Sequence, residues 1–208
     1  MSTTAPARRP RRDAAANRAG ILSAAATTIA HDPHASIDAI ARAAGLSRRA
    51  LYGHFDDRDA LLHELIAAGA QRFNAIASTV DASDEAPVAL AALTARLWTE
   101  AAHVQVAAAI ALDETHVQAT AAALAPLRRT VAAIVRRGQD DGTLRTDLAA
   151  PTVARLIEET ARVVVTRVDA SSPDAGPLAV RAVLSIAGLS WREADAVVLA
   201  LPSPSQEP

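Results

Sequence analysis

At 208 residues, half of them apolar and only 2% aromatic, the chain is long enough to bury a real core, and its abundance of alanine favours helix. It contains no cysteine, which excludes a disulfide frame and a thiolate metal site, and every basic residue is arginine. A net charge of −2 argues weakly against a nucleic-acid partner until the chain is divided.

Residues 1–12 hold Pro6, Pro10 and the arginines Arg8, Arg9, Arg11 and Arg12, and nothing there can pack a core. They read as a disordered basic arm; the same composition suits an arm that orders in a minor groove, where a narrow A·T-rich tract attracts arginine. From Asp13 to about Ala30 the stripe Ile21, Leu22, Ala25, Ala26 and Ile29 predicts a helix, ended by Pro33. His31 and His34 have an H-x-x-H spacing but no third ligand nearby, so no metal site is expected.

Ser36 to Arg58 is the most informative stretch. Ile37, Ile40, Ala41 and Ala44 line one helix face, Ser36 is placed to cap it, and Gly45 can end it in the left-handed conformation. Ser47 starts a second helix with Leu51 and Phe55 turned inward, which gives a helix-turn-helix. Its first turn then presents Arg48 and Arg49, whose guanidinium forks match the O6/N7 pair of guanine. Ser36, Ser47, Tyr52, His54 and Arg58 are suitable phosphate donors, and Gly53 allows close approach to the backbone of a duplex.

The run I-A-R-A-A-G-L-S-R-R-A-L-Y-G-H-F, followed by D-D-R-D-A-L-L, resembles the DNA-binding domain of the tetracycline-repressor (TetR) family. The resemblance is specific over Asn17 to Phe73, about a quarter of the chain. One departure is Asp56-Asp57, where many relatives carry a lysine, which leaves Arg58 as the basic contact there. The charge distribution agrees with a DNA-docking end. Residues 1–55 contain eight Arg and three Asp, a net +5, and residues 56–208 carry −7.

After Phe55, Asp56 or Asp57 caps a long helix whose apolar face runs Leu61, Leu62, Leu65, Ile66, Phe73 and Ile76, connecting head to body. Further helices are predicted over about Val88–His103, Val104–His116 and Thr120–Gln139, the last despite Pro126, with a turn at Asp140-Asp141-Gly142. Two more follow over Pro151–Val168 and Pro177–Leu189, then a short one opened by the capping box Ser190–Glu193. The segment from Pro202 reads as a disordered tail, and no apolar run is fit to span a bilayer.

The expectation is an all-α protein: a basic arm over 1–12, a three-helix DNA-binding head over 13–58, a helical-bundle body over 59–201 for ligand binding and dimerisation, and a tail over 202–208. The body shows no catalytic constellation, because Asp113-Glu114 and Glu158-Glu159 are sequence neighbours that point about 100° apart on a helix. The resemblance implies a cytoplasmic, homodimeric repressor of a palindromic operator, responding to a small-molecule effector, with no cofactor and no metal. In that family the body holds a pocket between helices, for which Trp98, His103, His116 and Arg162 are candidates, and two C-terminal helices meet their copies. Leu156, Val163, Val183 and Ile186 are the candidates for that contact. An α-helical enzyme, or a partner-binding protein without ligand control, is the alternative from another class.

Overall fold

The computed structural model describes residues 9–102, 110 and 115–202, with side chains from Asn17 onward. Among these residues there are ten helices and no strand. They are α1 (Arg9–His31), α2 (Ile37–Ala43), α3 (Arg48–Tyr52), α4 (Arg58–Ala77), α5 (Ala86–Ala102), α6 (Val117–Ala123), α7 (Ala125–Asp140), α8 (Ala150–Arg167), α9 (Ala175–Ile186) and α10 (Trp191–Ala200). The chain separates into two compact units, residues 1–68 and 69–208. The all-α expectation is met.

The first unit closes on a small core. Ile21, Ala25 and Ile29 from α1 meet Ile40 and Ala41 from α2, Leu51 from α3, Phe55, and Leu61 and Leu62 from α4, all buried. The turn between α2 and α3 follows from sequence. Gly45 sits at φ 69°, and the bonds from Leu46 N to Ala41 O (2.9 Å) and Gly45 N to Arg42 O (3.0 Å) form a Schellman closure. Ser36 and Ser47 each accept from the backbone N–H three residues on, both at 3.2 Å, capping α2 and α3 as expected. Asp57 caps α4 by accepting from Ala60 N at 2.7 Å.

In the second unit, Leu90 and Leu93 of α5, Ile134 and Val135 of α7, Val153 and Ile157 of α8, and Val180, Val183 and Leu184 of α9 form one core filled out by alanines. Small residues let the helices close up. A Cβ on Gly138 would meet the Leu144 side chain and come within 2.7 Å of Ala86 Cβ, and one on Gly176 would stand 3.0 Å from the Trp98 indole. Ser190 and Glu193 form the expected capping box at the start of α10.

Three expectations are corrected. α1 begins at Arg9, not Asp13, because Pro10 is compatible with the first helical turn, so Arg9, Arg11 and Arg12 lie on helical backbone rather than in a free arm. The single helix expected over Thr120–Gln139 is two, α6 and α7, parted at Leu124. Pro126 cannot donate to the preceding turn and its ring crowds that turn's carbonyl, so it starts a helix rather than continuing one. Val183 is 1% exposed and belongs to the core of its own chain, which removes it from the proposed contact between copies. The helix expected over Val104–His116, Arg8, His103 and the tail beyond Pro202 lie outside the described residues, apart from residues 110, 115 and 116.

Gly138→Ala would press a methyl into the space held by Leu144 and Ala86. It should destabilise the body by about 1–3 kcal/mol, read as a lower thermal midpoint, whereas Gly69→Ala, with nothing near its Cβ position, should not.

Candidate nucleic-acid interface

The five residues of α3 divide cleanly between inside and outside. Leu51 is fully buried and Phe55, just beyond the helix, is 3% exposed, while Ser47, Arg48, Arg49, Tyr52 and Gly53 are exposed. The far end of the helix is held by Arg18 of α1. Its Nη1 donates to His54 O at 2.8 Å, its Nε donates to Glu64 Oε1 of α4 at 2.6 Å and its Nη2 to Glu64 Oε2, and its guanidinium stands 4.5 Å from the Phe55 ring centroid. A bidentate ion pair, a bond to a helix-end carbonyl and a stacked cation thus meet in one side chain. Sequence reading did not assign Arg18 a role, since its partners are 36 and 46 residues away.

The two arginines of α3 differ. Arg48 Nη1 donates to Asp38 Oδ2 of α2 at 3.1 Å, and its guanidinium carbon lies 5.5 Å from the Tyr52 ring centroid. Tyr52 first, and then the Asp38 charge, hold the Arg48 guanidinium above its ordinary pKa, so it is a cation at any working pH. Arg49 is exposed and forms no ion pair among the described residues. Both keep guanidinium donors that no carboxylate among the described residues takes.

Ser36 and Ser47 spend an oxygen lone pair on capping, which leaves each hydroxyl hydrogen available to a phosphate. Tyr52 is 40% exposed and His54 half-buried. Arg58 is committed elsewhere. Its Nη2 donates to Pro33 O at 2.8 Å and its Nε to Ala35 O at 3.3 Å, so it ties down the loop between α1 and α2. The side chains of Arg9, Arg11 and Arg12 lie outside the described residues.

Trp98 packs against Gly176, His116 is 5% exposed just ahead of α6, and Arg162 sits on an exposed face with Glu159, its Nη2 2.7 Å from the carboxylate. On α8, Leu156 and Val163 stand exposed two turns apart, and Leu178 is exposed near the start of α9. Ile186 is partly buried against the core. Among the described residues no group of three potential ligands could hold a metal, and no helix is long and apolar enough to cross a membrane.

A family model described as bacterial regulatory proteins, tetR family, matches residues 21–65, the segment that holds α2 and α3. This segment therefore resembles the DNA-binding head of TetR-family proteins. Solved structures extend the likeness beyond that segment. FadR from Bacillus subtilis in complex with stearoyl-CoA shares 17% identity at a TM-score of 0.70, over 82% of this chain and 97% of that one. FadR from Bacillus halodurans, a fatty acid degradation regulator, shares 19% at 0.69 over the same shares of each chain. The ketosteroid transcriptional regulator KstR2 of Mycobacterium tuberculosis shares 22% at 0.63, over 82% and 93%. At these identities the likeness is one of fold. No curated protein sequence matches the chain.

Arg58 provides a test of which TetR-type contacts this head uses. If it serves the Pro33–Ala35 loop, Arg58→Ala lowers the thermal midpoint of the protein, by about 1–2 kcal/mol of stability. The slope of log affinity against log salt on duplex DNA should then stay unchanged. A slope shallower by about 0.9 would instead mark it as a phosphate contact.

Proposed function

We propose that this protein is a cytoplasmic, homodimeric repressor that binds a palindromic operator and releases it when a small molecule occupies the body. The outward face of α3 carries the proposal: a helix anchored by Leu51 and Phe55 that presents Ser47, Arg48, Arg49 and Tyr52. Arg48 and Arg49 contact base edges in the major groove, while Ser36, Ser47, Tyr52 and His54 set register on phosphates. Arg8, Arg9, Arg11 and Arg12 supply charge toward the adjacent minor groove.

Release follows from linkage. An effector that binds the DNA-incompetent state more tightly lowers operator affinity by the ratio of its two affinities. The fold relative FadR from Bacillus subtilis is in complex with stearoyl-CoA, which supports a small molecule bound by a regulator of this fold. For this chain the proposal is an effector in the body, with its class open.

Selection from duplexes randomised over about 30 base pairs, long enough for two half-sites one or two turns apart, should enrich a palindrome. Replacing Arg48 or Arg49 with Ala should cost about 1–3 kcal/mol on that consensus and less on random duplex. Consensus binding equal to the parent's in both variants would show that α3 does not read bases.

Pairing of heads requires a self-complementary face on the body. The exposed Leu156 and Val163 of α8, with Leu178 of α9, provide apolar surface for it, and Ile186 lies at its margin. Leu156→Asp combined with Val163→Asp should give a monomer by light scattering with helicity retained. Val183→Asp, which buries a charge in the core, should instead unfold the body. A parent that is monomeric at micromolar concentration would defeat the dimer proposal.

A further inference from the structure

We propose that Asp38 is a specificity-determining positioning residue: it fixes the Arg48 guanidinium so that this arginine, held between Asp38 and Tyr52, reads one base pair. The inference rests on the DNA-reading role of α3 given above and adds a division of labour within it. Arg48 is the oriented reader and Arg49 the unrestrained cation beside it.

An anion on a face that docks against phosphate works against binding, and Asp38 is such an anion. Its side chain is 46% exposed on the first turn of α2, with its Oδ2 3.1 Å from Arg48 Nη1. The pair does little for the fold, because Arg48 is 63% exposed and ion pairs at such exposure contribute little in water. Its effect lies in orientation. An arginine side chain carries considerable rotamer freedom, and that freedom is lost when the fork docks on a base. Here much of it is already removed, by a carboxylate on one side and the Tyr52 ring, 5.5 Å from the guanidinium carbon, on the other.

Asp38 binds only one end of the guanidinium, and Tyr52 is its other partner. Asp38 takes Nη1, so the Nε/Nη2 edge, which carries two parallel N–H donors, stays free of any carboxylate among the described residues. That edge matches the O6/N7 acceptors of guanine. The carboxylate has unused capacity too. Oδ1 of Asp38 is shielded from solvent and has no hydrogen-bond partner among the described residues. A shielded carboxylate oxygen without a donor is costly, and a small turn of the guanidinium toward it would relieve that cost. Asp38 therefore favours one Arg48 orientation over the alternatives. Arg49 has no such partner and contributes charge more than discrimination.

The test uses the full-length protein and the duplex consensus selected from the random pool. For each variant, affinity is measured on the consensus, on each singly changed duplex, and on a random duplex. Arg48→Ala should abolish preference at one base pair of each half-site. Asp38→Asn and Asp38→Ala should reduce preference at that same base pair by about three- to tenfold, a part of what a bidentate contact confers. Both should bind the random duplex at least as well as the parent, since a negative charge has gone, with an unchanged thermal midpoint. Adding Asp38→Ala to Arg48→Ala should cause no further loss of preference.

The inference is overturned if Asp38→Asn discriminates every position as the parent does. It is equally overturned if the losses in the double variant add, or if the Asp38 variants lose consensus and random binding together with a lower midpoint. A parent that enriches no consensus overturns the DNA reading itself, and this inference with it; a clear consensus unaffected by Asp38 overturns the inference alone.

Discussion

Burial of Leu51 and Phe55 is the constraint on which the head depends, because α3 has five residues and a helix that short has no stability of its own. Its N-terminus is set by the Ser47 cap and by the Schellman turn at Gly45, and its C-terminus by Arg18 acting on His54 O and Phe55. Since the inward positions and the two ends do the holding, the outward positions are released from any duty to the fold. That is why Arg48, Arg49 and Tyr52 can be chosen for a partner. The helix-turn-helix is then a small hydrophobic anchor carrying an interchangeable polar face.

The same unit shows that net charge alone misleads about how DNA is attracted. Residues 1–68 carry nine arginines against seven acidic residues, and from Asn17 to Ala68 the count is five against six. Arg18 is paired with Glu64 and Arg48 with Asp38, while Arg58 donates to two neutral carbonyls and Arg49 has no ion pair among the described residues. The excess sits at Arg8, Arg9, Arg11 and Arg12. On the proposed reading, sequence-independent attraction falls to the arginines at positions 8–12 and base reading to α3.

The helix-turn-helix was legible in the sequence because its signals are local: Ser caps three residues ahead of the N–H they serve, a Gly where φ is positive, and apolar residues at i and i+4. What was not legible depends on distant partners. The ties of Arg58 to Pro33 and Ala35, and of Arg18 to Glu64, span 23 to 46 residues, so both side chains looked free or unassigned. Asp38 gives no signal of its own, because the helix dipole alone accounts for an acidic residue in a helix's first turn. Val183 was misplaced for another reason. On α9 the apolar residues occupy most of the circumference, with Leu178 exposed and Val180, Val183 and Leu184 buried, so periodicity gives a stripe without saying which side faces the core.

The composition of the body gives that exposed Leu178 its weight. Six of the sixteen residues in the central cluster are alanine, and closely approached glycines at 138 and 176 serve the same economy of space. In such a body large apolar side chains are the scarce means of excluding water, yet Leu156, Val163 and Leu178 stand between 39% and 51% exposed on the outer sides of α8 and α9. Two charged neighbours are turned elsewhere, Arg162 to Glu159 and Arg181 to Asp195 of α10. Trp191, by contrast, is 66% exposed but stacked by Arg192 at 4.3 Å, a local cover that needs no second chain. Single exposed hydrophobes are ordinary, but exposed leucine and valine on adjacent helices of an alanine core favour a surface that meets its own copy.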